Sequence, residues 1–258
     1  MRMLTFAGRN AKEILRDPLN LAFGLGFPLV LLMLLSLIQA NIPVPLFEIG
    51  HLTPGVTVFG LSFMTLFSAS VIAKDRGSSL LRRLYTTPLT PTDFILGYTL
   101  PMIPIALMQC IVCYIAAIML GLEITVNILY AAVAVVPVSI LYIALGLLFG
   151  SILNDRQVGG ICGALLTNLS AWLSGIWFEL ELVGGVFMKI AYALPFVHAV
   201  DMERAMLAGN FADAVPHLWW VLGYAAAPGQ LFQQIPFGAP PKSKTATSKA
   251  PASRHFSY

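Results

Sequence analysis

The chain has 258 residues, of which 58% are hydrophobic and only 10% charged, and its net charge is +3. A soluble domain carries roughly a quarter charged residues, so composition excludes a soluble globular protein and points to an all-α integral membrane protein. Cys110, Cys113 and Cys162 all fall in apolar runs, and no second Cys/His pair follows the Cys110-x-x-Cys113 spacing. They are therefore expected as inert core residues, with no metal held between them.

The chain opens with a segment, Met3–Arg16, whose Leu4, Ala7, Ala11, Ile14 and Leu15 recur at helical spacing while Arg2, Arg9, Lys12 and Arg16 keep the other side charged. This pattern predicts an amphipathic helix lying on the inner leaflet, the alternative being a plain cytoplasmic lead-in. The first 17 residues lack the short apolar core and small-residue cleavage site of a secretory signal, so no cleaved signal peptide is expected.

A spanning helix needs about 20 mostly apolar residues, because about 30 Å of hydrocarbon is crossed at 1.5 Å per residue. Five stretches qualify, roughly 18–40, 52–73, 95–122, 127–153 and 158–178, and a sixth, roughly 212–227, is shorter. The first five contain no Asp, Glu, Lys or Arg between their ends, and the sixth has Asp213 at its second position. Asp17-Pro18 reads as an N-cap followed by proline at the first helical position, and Pro43 and Pro45 stop the chain from continuing as helix beyond Asn41. Asn154-Asp155-Arg156-Gln157 is a polar turn long enough to reverse two antiparallel helices. Pro28, Pro101, Pro104 and Pro137 lie inside spans and are expected to kink them.

With six spans and a cytoplasmic N-terminus, 13 of the 15 Lys and Arg residues fall on the inner side, and only Lys189 and Arg204 on the outer side. That asymmetry is the one expected of a cytoplasmic N-terminus.

Two loops stand out. The inner loop, Lys74–Phe94, mixes Arg82-Arg83 with Leu80, Leu81, Leu84 and Tyr85. Its leucines at i, i+1 and i+4 fit a short helix ended by Thr87-Pro88, or else a solvated basic loop held near anionic lipid. Within the outer segment, Glu179–Asp213, the apolar run Leu182–Leu194 is too short to cross and carries Lys189. It is read either as a re-entrant dip returning at Pro195-Phe196-Val197-His198 or as a folded external cap. Beyond Ala227, the prolines 228, 236, 240 and 241 and the Lys/Ser/Thr stretch Lys242–Ser253 read as a disordered tail. The change of composition in mid-helix suggests an altered reading frame or a junction from about Ala226; otherwise Pro228 simply leaves the last span short.

Chemistry-bearing motifs are missing: there is no phosphate-cradling Gly-x-x-x-x-Gly-Lys-Ser/Thr, no His-Glu-x-x-His and no Gly-x-Ser-x-Gly. The four histidines, 51, 198, 217 and 255, are scattered singly. Charge-free spans argue against proton or ion coupling, and nothing resembles a channel filter. Uphill transport by this chain would draw its energy from elsewhere, and a separate ATPase docking on the cytoplasmic face would provide it. Gly146/Gly150 and Gly159/Gly163 permit close helix contacts, within the chain or with a second subunit.

The stretch from Lys74 to Leu89, with Asp75-Arg76-Gly77-Ser78-Ser79 and Arg82-Arg83-Leu84-Tyr85-Thr86-Thr87-Pro88, resembles the inner-loop signature of ABC-2 type permeases. These are the membrane subunits of bacterial ABC exporters, including the daunorubicin-resistance type. Thr53 to Gly60, Asn10 to Pro28, Leu173 to Phe178 and Leu194-Pro195-Phe196 resemble, in order, how such permeases open their second span, enter the first, end the fifth and form the outer re-entrant segment. Many members carry an acidic residue and a glycine where this chain has Gly77 and Ser79, and they continue the sixth span beyond the point where Pro228 stands here.

The resemblance implies an ABC-2 transmembrane domain over 1–227, followed by a tail over 228–258. It implies six transmembrane helices, an N-terminal interfacial helix, a cytoplasmic coupling helix and an outer re-entrant segment. It further implies a dimer of permeases, with like or unlike copies, in the bacterial plasma membrane. The dimer would work with a cytoplasmic ATPase subunit that binds ATP and Mg, leaving this chain without cofactor or catalytic residues. Asp75, Arg76, Arg82, Arg83, Leu84 and Tyr85 would contact or orient the coupling helix in a groove of that ATPase. Phe59, Phe63, Phe67, Trp172 and Trp177 would line a path for an exported drug, lipid or lipid-linked glycan, with ordinary packing as the alternative. The competing functional readings are a stand-alone channel or carrier and a non-transporting scaffold subunit.

Overall fold

A computed structural model describes residues 2–44, 46–78 and 90–234, and every regular element among them is helical. α1 (Arg2–Leu15) is followed by α2 (Pro18–Leu21), a π-helical turn (Ala22–Gly26) and α3 (Phe27–Ala40). α4 (Ile49–Gly77) leads into the inner loop, and the chain resumes in α5 (Pro91–Thr99) and α6 (Met102–Met119). α7 (Asn127–Ile152) precedes α8 (Asp155–Val158), a second π-helical turn (Gly159–Leu166) and α9 (Thr167–Trp172). α10 (Leu180–Val183), α11 (Gly185–Ala193), α12 (Pro195–Ala208) and α13 (Phe211–Gln234) complete the described chain.

Local signals place most of these boundaries. Thr90 accepts the Asp93 backbone N–H while the Asp93 carboxylate accepts the Thr90 N–H, a capping box with Pro91 at the first helical position. Asn154 and Gln157 make the corresponding box at α8. Pro28 follows the first π turn and Pro101 sits at the α5–α6 break, so both interrupt their helices. Pro104 and Pro137, expected to kink their spans, lie inside continuous α6 and α7.

Four helical stretches are long and apolar enough to cross a membrane: Ala22–Ala40, Ile49–Gly77, Thr92–Met119 and Asn127–Ile152. The pair α11–α12, bent by 77°, makes a fifth if counted as one broken span. The runs expected as fifth and sixth crossings are helical but do not join this set. The helical part of the first ends at Trp172 and begins with the polar Asp155, Arg156 and Gln157, and α13 carries Pro216, His217 and Pro228. α13 nonetheless continues through Pro228 to Gln234, past the point where the apolar run ends. One proline removes a single backbone donor, which a helix packed along one side tolerates. Residues 235–258 lie outside the described residues.

α4 is the centre of the bundle and is buried along almost its whole length. Its most extensive contact is with α7, while α12 packs on α4 and α7, and α13 on α7 and α12. Glycines allow the α4–α7 approach. A Cβ on Gly150 would meet the Ala69 carbonyl oxygen at 2.6 Å, and one on Gly146 would meet the Thr65 carbonyl oxygen at 2.5 Å and overlap the Ser68 hydroxyl. Thr65 Oγ1 donates to the Tyr142 carbonyl oxygen at 2.8 Å across this contact. Gly146 and Gly150 thus serve packing within the chain. Gly163 faces Leu66, with a Cβ distance of 3.3 Å, and Gly159 meets nothing within 4 Å.

Replacing Gly146 with Val forces α4 and α7 apart and is expected to cost about 1–3 kcal/mol, read as a lower unfolding temperature in detergent micelles. Gly159→Ala, which meets no neighbour, should unfold at the wild-type temperature.

Candidate functional site

Asp75 lies one turn beyond Val71 and Ile72 on the buried stripe of α4, and only 1% of it is exposed. A buried carboxylate needs a partner, and α1 supplies it. Arg9 donates from both Nη atoms to the two Asp75 oxygens at 2.7 and 2.8 Å, a bidentate pair, and Tyr98 Oη of α5 donates to Asp75 Oδ2 at 2.8 Å. Arg9 also meets Glu13 at 2.6 Å and the Asn10 amide oxygen at 2.9 Å. Burial alone would lower the Arg9 pKa, but the Asp75 bond and the fields of Asp75 and Glu13 outweigh it, so the pKa is raised.

The remaining contacts fasten the same corner. Asn10, wholly buried, donates Nδ2–H to the Gly97 carbonyl at 3.0 Å. Phe6 packs edge-on against Phe94 and Tyr98, with centroids 5.8 and 5.0 Å apart, and a Cβ on Gly97 would overlap its ring. Lys74 pairs with Asp17 at 3.6 Å, and Arg76 donates to the Gly150 and Leu153 carbonyls at 2.9 and 3.2 Å. The stems on both sides of the inner loop are therefore tied to one another through α1, and the α4 stem is tied to the end of α7. The α1 face that makes these contacts is Phe6, Ala7, Asn10 and Ile14, while Leu4 and Leu15 remain exposed.

Of the residues expected at the coupling surface, Asp75 and Arg76 are thus bonded to their own chain. Arg82, Arg83, Leu84 and Tyr85 lie outside the described residues. Phe59, Phe63 and Phe67 are buried along α4. Phe59 meets Phe63 at 5.9 Å, Trp177 at 6.3 Å and Phe27 at 5.9 Å, and Phe67 covers Gly24 in the first π turn. Trp172 stands apart from this cluster, half-exposed and against Phe178 at 5.9 Å. Of the five, Phe59, Phe63 and Trp177 pack in one row with Phe27, Phe67 lies against Gly24, and Trp172 is a surface ring.

At the end of the bundle away from the loop, α12 packs against α4 and α7. His198 and His217, isolated in sequence, meet Nδ1 to Nδ1 at 2.9 Å. His198 Nε2 lies 3.0 Å from the Tyr192 carbonyl oxygen, so that nitrogen carries the hydrogen. Among the described residues no group of three or more His, Cys, Asp or Glu could hold a metal ion. Arg204 donates to the Gly175 carbonyl at 3.0 Å and borders a cavity of about 880 Å³ together with Gln39, Glu48, His51 and Glu123. Glu203, beside it, is completely buried. The sequence signal for Glu203 was its spacing: it falls at i+7 on the stripe Phe196, Ala199, Val200, on the apolar face of α12.

The profile of the ABC-2 type transporter family matches residues 2–207 of the 258. The chain belongs to the ABC-2 type transporter family. The match takes in α1, the inner loop and α12, so the corner around Asp75 and the buried helix with Glu203 are both parts of an ABC-2 membrane domain. The protein is accordingly a multi-pass, all-α membrane permease subunit of an ABC transporter, and ABC-2 membrane domains work with ABC ATPase subunits in general. No curated protein matches the chain.

Arg9→Ala strands the Asp75 carboxylate in a buried place, whereas Asp75→Asn retains acceptor and donor groups there. Arg9→Ala is expected to cost on the order of 2 kcal/mol and Asp75→Asn less. Thermal unfolding of both variants and of the double variant in a mutant cycle measures the difference.

Proposed function

We propose that the chain is the membrane subunit of an ATP-driven exporter, moving a hydrophobic or amphipathic molecule outward under the power of a separate ATPase subunit. The observation that carries this reading is the Arg9–Asp75–Tyr98 corner. One guanidinium and one buried carboxylate join α1, α4 and α5 where the inner loop leaves and re-enters the bundle. A force applied to the loop is delivered at once to α1 and to the central helix α4, as coupling between a docked ATPase and a transmembrane path requires.

In this reading the N-terminus and the loop are cytoplasmic, in keeping with the distribution of Lys and Arg. Six crossings arise when the helical run Asp155–Trp172 and α13 both cross and the α11–α12 pair re-enters from the outer side. Two permease copies, alike or unlike, complete the transporter in a bacterial plasma membrane, and ATP and Mg are held by the partner. Leu84 and Tyr85 fill a groove of the ATPase, Arg82 and Arg83 pair with acids on its rim, and Asp75 and Arg76 orient the stem. The row Phe27, Phe59, Phe63 and Trp177 offers an apolar wall to a drug, a lipid or a lipid-linked glycan.

Leu84→Asp is expected to leave the bundle folded and the complex assembled but to separate ATP hydrolysis from transport. The measurement is substrate export beside ATPase rate in proteoliposomes holding both subunits. Normal export by an assembled Leu84→Asp complex would rule out docking through this loop, and transport by the permease alone, without ATP, would favour a carrier.

A further inference from the structure

Five buried side-chain oxygens lack a hydrogen-bond partner among the described residues: Thr57 Oγ1, Gln109 Oε1, Tyr114 Oη and both carboxylate oxygens of Glu203. They stand on α4, α6 and α12. Gln109 Nε2 donates to the Thr57 carbonyl at 3.1 Å and lies 3.9 Å from Cys113 Sγ, joining α6 to α4. Glu203 is near enough to Cys110 and Tyr114, on the same side of α6, to act on both electrostatically. Thr57, Gln109, Cys110 and Glu203 are each 0% exposed, and Tyr114 is nearly so. Buried polar atoms are normally satisfied, so an acid that is wholly buried with both carboxylate oxygens bare calls for an explanation.

The charge on Glu203 sharpens the problem. An ionised carboxylate in an apolar interior is sustained only by a cation or by hydrogen-bond donors; without them the group neutralises. The titratable groups facing Glu203 from α6 are the Cys110 thiol and the Tyr114 hydroxyl, with Cys113 beyond them, and none is a cation. Of the other helices packed on α12, α7 carries Tyr142, which is bonded to Ser170, and α13 carries His217, which is engaged with His198. On its own helix, Asp201 and Arg204 are engaged with each other at 3.7 Å, and Arg204 is further committed to the Gly175 carbonyl. A proton meets the requirement without needing space.

The placement of α12 adds a route. The helix is bounded by the 77° bend at Leu194–Pro195 and by Gly209, whose φ is +81°, so it is a separate rigid piece between two breaks. Its next turn, Arg204, Leu207 and Ala208, already lines the cavity at the end of the bundle. We propose that Glu203 carries a proton while α12 is seated, and that displacement of α12 toward this cavity releases that proton to water, one being taken up when the helix returns. The O–H bond of the acid breaks as the carboxylate becomes hydrated, the proton passes to cavity water, and reseating reverses both steps. The site is a proton site distinct from the Asp75 corner and lies at the opposite end of α4.

The experiment is infrared spectroscopy of the full chain in lipid nanodiscs at neutral pH, taken as wild type minus Glu203→Gln. The expected result is a protonated-carboxylic-acid carbonyl band in the wild type that is lost in the variant; no such band means an ionised Glu203 and overturns the proposal. Should Glu203→Gln not fold, Glu203→Asp shifts the same band and serves in its place. This arm needs no ATPase and is independent of the proposed partner. In the complex with its ATPase, trapped with vanadate after ATP hydrolysis, the band should lose at least half its intensity. An unchanged band in a complex that hydrolyses ATP would make Glu203 a fixed structural acid and overturn the linkage to α12.

Discussion

The architecture depends on how closely α4 can approach α7. Lipid tails are as apolar as leucine, so helices in a bilayer are held by close packing and by hydrogen bonds between them, with little help from water. Gly146 and Gly150 let α7 lie against the backbone of α4 at Thr65, Ser68 and Ala69, and the Thr65 hydroxyl reaches across to the Tyr142 carbonyl. With that contact in place, α4 is enclosed by α3, α6, α7 and α12. Its two ends become the two polar places in an otherwise apolar body.

The two places solve the same electrostatic problem differently. Asp75 is buried but receives three charge-assisted or hydroxyl hydrogen bonds, two from Arg9 and one from Tyr98. The pair joins segments 66 residues apart. Glu203 is buried with no hydrogen-bond donor among the described residues, so its carboxyl has to be neutral or be moved. A paired buried charge makes a rigid joint, whereas an unpaired one marks a place where the packing and the protonation state depend on each other. The paired acid lies beside the inner loop, and the unpaired one lies on the helix that borders the cavity at the far end.

Much of the architecture was legible along the chain. The apolar lengths located the helices to within a few residues, as at Asn127–Ile152, because crossing a bilayer demands a continuous run of backbone satisfied within itself. Thr90-Pro91-Thr92-Asp93 marked a helix start because its side chains cap their own neighbours. The amphipathic helix is present over Arg2–Leu15; of its apolar positions Ala7 and Ile14 are covered by protein, Leu4 and Leu15 are not, and the polar Asn10 is buried beside them. Periodicity reports which residues are apolar, not whether protein or some other surface will cover them. Glu203 lies outside every run read as a span, and it reaches the interior because α12, too short and too polar to read as a crossing, packs against α4 and α7.

By itself, the sequence determined that this protein is a membrane-embedded helical body with a basic side and a distinctive inner loop. Those properties come from local quantities: apolar length, capping chemistry and the distribution of charge. The tertiary structure decided which polar residues meet. That Arg9 holds Asp75, that His198 faces His217 and that Glu203 is buried with neither carboxylate oxygen bonded are facts about helices far apart in the chain. Hydrogen bonds and burial act through space over a few ångströms, and no spacing along the chain records them.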